Sequence, residues 1–83
     1  MKVINAKHIK DHQLELEFND GVKHVVDLKN SFYGPVFGPL KDVDYFKKFR
    51  LNRWTIEWEN GADLAPEFLH DLALKQNGEV IDH

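Results

Sequence analysis

Leu14, Leu16 and Phe18 alternate with Gln13, Glu15, Glu17 and Asn19 in the cleanest two-residue period of the chain. One face is apolar and the other wet, so residues 13–19 predict a half-buried strand of an antiparallel sheet. Residues 2–10 also read as a strand, with Ile4, Ala6 and His8 on one face and Val3, Asn5, Lys7 and Ile9 on the other. Neither face is clean, which suits an edge position, and Asp11-His12 reads as the tight turn joining the two strands. Asp20-Gly21 is a hairpin signal, because a type I′ turn takes positive φ at both central residues. The return strand, residues 22–28, is rich in β-branched side chains. A three-stranded meander is therefore expected over the first 28 residues.

Residues 29–40 break this period. Tyr33-Gly34-Pro35-Val36 is followed directly by Phe37-Gly38-Pro39-Leu40, the same aromatic-Gly-Pro-aliphatic order twice. Gly-Pro steps interrupt helix and central strand alike. The segment reads as a structured loop whose apolar side chains either cap one end of the core or line a surface for a ligand or partner. Val43, Phe46 and Phe49 then recur at helical spacing, with acids ahead of bases, and predict one or two helical turns over residues 41–49. A short strand through Arg50 and Leu51, turning at Asn52-Arg53, leads into the most informative stretch.

Within residues 54–69, Trp54, Ile56 and Trp58 share one face by alternation, and Thr55, Glu57 and Glu59 share the other. Both tryptophans are therefore expected at the centre of the core. Asn60-Gly61 is a turn dipeptide, and Pro66 brings a preset φ to the first helical residue, leaving Ala65 just outside. Phe68, Leu69, Leu72 and Ala73 continue as an apolar stripe to about Gln76, where Asn77-Gly78 ends the helix. The whole predicts an α+β fold, an antiparallel three-stranded meander extended by one or two strands, with a C-terminal helix packed on one face. Residues 1–78 are read as that single domain and 79–83 as a tail.

Composition narrows the classes of function. At 83 residues the chain has room for one core and buries only about 60% of its unfolded surface, so oligomerisation is an easy route to added stability. An apolar fraction of 42%, with six Phe, two Trp and two Tyr, suits a globular core rather than disorder. Fourteen acids against 11 bases leave a net charge of −3 and no general attraction to nucleic acid or an anionic membrane. The absence of cysteine excludes disulfides, thiolate metal sites and cysteine nucleophiles. The longest apolar runs are two or three residues, far below the roughly 20 of a bilayer span and too short for a signal peptide. A cytoplasmic protein is expected.

Three signals in order carry a resemblance: the Phe18-Asn19-Asp20-Gly21 hairpin, the Phe37-Gly38-Pro39-Leu40-Lys41-Asp42 loop, and the unbroken segment from Trp58 to Leu69. That segment fits a Trp-x-Asn-Gly-Ala-Asp-x-x-Pro-Glu-x-Leu signature. Together they resemble DUF2442, a family of short bacterial proteins known as a domain of unknown function, over Val3 to Leu74. The resemblance implies a compact α+β domain with an antiparallel sheet, bacterial origin and no established catalytic activity. It also implies a neighbouring small protein, an arrangement suggestive of toxin–antitoxin-like pairs. Some relatives carry a helix-turn-helix module after this domain; the chain stops at His83, so DNA binding by that route is not expected.

The chemistry-bearing residues are few. Glu57, Glu59, Asp63 and Glu67 fall within eleven positions. Paired acids serve glycoside hydrolysis or hold a hard cation, but so short a chain rarely encloses the cleft that raises a carboxyl pKa. The same acids also suit a wet sheet face and a helix N-terminus. Glu67-x-x-His70 has the spacing of helical metal ligands, without an obvious second donor set, and the five histidines are scattered. Ser31 and Thr55, the only serine and threonine, sit in no nucleophile motif. Lys47, Lys48, Arg50 and Arg53 beside Phe46, Phe49 and Trp54 make the one basic-aromatic patch, fit for a single strand, an acidic partner or plain helix surface.

No catalytic residue, cofactor or metal ligand is assigned. The first reading is a small non-enzymatic protein-interaction domain, the antitoxin-like or regulatory half of a two-protein pair. Its candidate partner surface is Tyr33, Phe37, Arg50 and Arg53, and its partner is a small protein or a second copy of the chain. Neither a membrane nor nucleic acid by direct contact is expected. The alternative is a ligand- or cation-binding domain or minimal enzyme using Glu57, Asp63, Glu67 and His70. The first reading expects an exposed apolar patch or a bare sheet edge; the second expects a concave pocket in which acids converge.

Overall fold

In the computed structural model, which describes residues 1–32 and 35–78, strands β1 (Val3–Lys10), β2 (Gln13–Phe18) and β3 (Lys23–Asp27) form an antiparallel sheet in the order β1-β2-β3. Leu14, Leu16 and Phe18 of the central strand are wholly buried, as their alternation predicts. The mixed faces of β1 have a physical cause. Val3 pairs with Phe18 but Asn5 with Glu17, and His8 pairs with Leu14 but Lys10 with Gln13. Ile4 and Ile9 are thus each the extra residue of a bulge, and each bulge shifts the side-chain phase by one. Val3 is buried while Ile4 and Ile9 are exposed, which corrects the expected grouping of Ile4 with Ala6 and His8.

The Asp20-Gly21 signal does produce a hairpin, but not the expected type I′ turn. Of the loop residues only Gly21 has positive φ (92°), with Phe18 N–H donating to Val22 C=O at 2.8 Å and Gly21 N–H to Phe18 C=O at 3.0 Å. This is a three-residue loop closed by a glycine bulge. The same device recurs at residues 58–62. Gly61 has φ 89°, Trp58 N–H donates to Ala62 C=O at 2.9 Å, and Gly61 N–H to Trp58 C=O at 3.0 Å. Asp20 Oδ1 and Asn60 Oδ1 each accept from the N–H two residues on, at 3.0 and 3.1 Å.

Between the two hairpins the Gly-Pro segment winds as a 3₁₀ helix, Pro35–Lys41, which leads into the single turn α1 (Val43–Phe46), capped by Asp42. Tyr33 and the 79–83 tail lie outside the described residues. Strands β4 (Arg50–Leu51) and β5 (Ile56–Glu57) follow. They pair with each other as a separate sheet and meet the meander through Val3 N–H, which donates to Trp54 C=O at 2.8 Å. Trp58 is the centre of the core at 1% exposure. Its Nε1–H donates to Phe46 C=O at 2.7 Å, and its ring lies 5.7 Å from Phe46 and 6.4 Å from Phe32. His12 joins this aromatic group, with Nε2 donating to Leu40 C=O at 2.9 Å. It ties the β1–β2 turn to the 3₁₀ segment.

Helix α2 (Pro66–Gln76) starts at proline as predicted and buries Leu69 and Ala73, but Phe68 is 44% exposed and leaves the expected stripe. Its C-terminal end closes the free edge of β3. The Gln76 amide accepts from Asp27 N–H at 2.7 Å and donates to Asp27 C=O at 2.8 Å, as a neighbouring strand would. Asn77 Nδ2 donates to Val25 C=O at 3.0 Å. His70 fastens the middle of the helix to the first hairpin: Nε2 donates to Asp20 Oδ2 at 2.7 Å, and the ring meets Phe18 edge-on at 4.9 Å.

Asp20 is held below its ordinary value of 3.8, first by the Val22 N–H and then by His70. A depressed carboxylate stabilises the fold above its unfolded pKa, and that contribution is lost as pH falls through the folded value. Below about pH 4, Asp20→Asn should therefore flatten the acid limb of the stability curve relative to the parent, as read by urea denaturation at stepped pH. Parallel limbs for the two proteins would refute the linkage.

Candidate functional site

The site is built around a turn. Asn52 Oδ1 accepts from both Trp54 N–H and Thr55 N–H at 2.8 Å, and Asn52 N–H donates to Thr55 C=O at 2.9 Å. Asn favours such local side-chain bonds, and here they curl the chain before β5 begins. Thr55 is buried and its Oγ1 donates to Leu64 C=O at 2.6 Å, tying the turn to the segment that enters α2. The backbone at residue 54 is thus held on two sides. The indole is not: Trp54 is 57% exposed. The expectation that both tryptophans fill the core fails here, because alternation extends only through β5 and Trp54 precedes it in the turn. Thr55 takes the inward position instead.

Beside Trp54 runs an open cleft of about 530 Å³, lined also by Met1, Asn52, Leu64, Pro66, Asp63 and Glu67. Of these, Leu64 is buried and Met1 is exposed. Asp63 and Glu67 are exposed and without an ion-pair or hydrogen-bond partner among the described residues. A second cleft of about 470 Å³ is lined by Phe68, Leu72 and Gln76 of α2 and by Asp27, Asn30 and Ser31.

The acidic residues singled out in the sequence divide. Glu57 and Asp63 face each other across an isolated antiparallel bridge, and Glu57 accepts from Arg50 Nε at 3.2 Å. Asp63 and Glu67 meet at the cleft, whereas His70 turns to Asp20. Among the described residues no group of three or more His, Asp or Glu is arranged to hold a metal ion. Of the partner-surface residues, Phe37 is half-buried and stacks on Phe32 at 6.1 Å, while Arg50 and Arg53 are exposed on either side of Leu51 and Asn52. The pair Arg50–Glu57, largely solvated on the arginine side, contributes at most about 1 kcal/mol. Among the residues lining the cleft, sequence reasoning placed Trp54 wrongly, and the signal was Asn52: an Asx turn takes the next two residues out of the strand.

A family model described as "Protein of unknown function (DUF2442)" matches residues 3–74. No curated protein and no solved structure matches the chain.

Proposed function

The chain belongs to the DUF2442 family, whose description assigns no activity, and we propose that it is a small non-enzymatic interaction domain that docks a partner protein on the turn carrying Trp54. The observation that carries this reading is a 57%-exposed indole on a backbone pinned by Asn52, Val3 and Thr55. Trp and Arg dominate binding hot spots, and Arg53 is the adjacent exposed residue. A turn already held by hydrogen bonds loses little conformational entropy on docking. The sheet edges favour this surface by contrast, since β3 is closed by Gln76 and Asn77 and β1 is broken by two bulges. The pairing with a second small protein, which the family resemblance implies, makes the chain the antitoxin-like or regulatory half of such a pair.

The test is recovery of the partner with tagged protein from the native cell, followed by calorimetric titration of the parent and Trp54→Ala. The variant should keep the parent's stability to within about 1 kcal/mol, because its side chain is mostly solvated. It should lose about 2 kcal/mol or more of binding, roughly thirtyfold in Kd. Equal affinity of the two proteins for the recovered partner would place the docking surface elsewhere.

A further inference from the structure

On that reading, we infer that the cleft beside Trp54 receives a Lys or Arg side chain from a basic segment of the partner. The walls have two chemistries. Trp54, Leu64 and Pro66 contribute aromatic and aliphatic surface, while Asp63 and Glu67 contribute two carboxylates to the same lining. Both carboxylates are unpartnered among the described residues. A long cationic side chain matches this order: its alkyl stem lies on apolar surface while its charge reaches an acid, and indole is the best ring for a cation.

The rival occupant is an anion at the start of α2. The helix terminus supplies only about half a positive charge. Among the described residues no basic side chain lines the cleft. Glu67 in the first turn of α2 and Asp63 three residues before Pro66 stand where an anion would have to sit. Two carboxylates there oppose an anion and attract a cation.

The probes are three capped peptides of alternating Lys and Ala, Gln and Ala, and Glu and Ala, titrated at low salt. The readout is the Trp54 indole N–H resonance, with the buried Trp58 indole as internal control. The Lys peptide should shift Trp54 saturably, and the other two should not. Binding should weaken about fivefold in the Asp63→Asn, Glu67→Gln double variant, the upper end for one exposed charge pair, and also weaken when salt rises from about 50 to about 500 mM. If the double variant misfolds, Glu67→Gln alone and the salt series on the parent carry the same test. Equal binding of the Gln peptide, tighter binding of the Glu peptide, or no response to the Lys peptide up to about 10 mM overturns the inference. If the native partner is lost by Trp54→Ala but kept by the double variant, the docking surface stands and the cation falls. If Trp54→Ala keeps the partner while the Lys peptide binds, the cleft recognises cations but the docking reading falls.

Discussion

Trp58→Ala should unfold the protein or lower its stability by about 3–5 kcal/mol, the range for emptying a large aromatic site. A chain of 83 residues has roughly 4–12 kcal/mol to lose, so this is a large share. Two effects add at this position. The ring is 1% exposed among Phe32 and Phe46, so its removal leaves a cavity bounded by side chains that cannot all collapse. The Nε1–H bond to Phe46 C=O also disappears, and a buried carbonyl without a donor costs about 1–3 kcal/mol. Trp58→Phe separates the two, since it keeps most of the ring but orphans the same carbonyl. Urea denaturation should rank parent, Phe variant and Ala variant in that order. At this size each kcal/mol moves Tm by about 4–8 °C, so an Ala variant melting with the parent would refute the placement of Trp58.

Gly61→Val should destabilise by about 1–3 kcal/mol, out of proportion to its exposed position. Crowding is not the reason, because a Cβ built at Gly61 meets nothing within 4 Å. The cost is in the backbone: φ is 89°, a conformation that a β-branched residue resists most and Asn tolerates best. Gly61→Asn should therefore recover much of the loss. Gly21 sits at φ 92° in the same kind of loop with the same open space, so Gly21→Val should cost a similar amount. Thermal melts of the three variants beside the parent decide it. A Val variant as stable as the parent at either position would mean that the loop relaxes to ordinary geometry.

Much of this fold is legible residue by residue because it is local. Leu14, Leu16 and Phe18 specify a buried face by period alone, Gly21 and Gly61 mark two loops, and Pro66 starts α2. Each rests on sterics or burial within a few positions, where chain order and spatial order agree. The errors have equally local causes that a period count does not register. Two bulges in β1 change which residues face inward, and the Asn52 turn puts Trp54 outside while Trp58 stays inside.

The candidate site was legible only in parts. Asp63, Glu67 and Arg53 stood out by type, yet what surrounds them follows from Thr55 being drawn in to Leu64 and Trp54 being turned out. Only the tertiary structure decided that His70 belongs to Asp20, 50 residues away, rather than to Glu67 three positions before it. The same holds for Gln76, whose amide completes the β3 edge 49 residues from Asp27. Side-chain type and spacing define what bonds a residue can make. Which of them it makes depends on the polar groups that folding leaves unsatisfied beside it, and those are set by packing between distant segments.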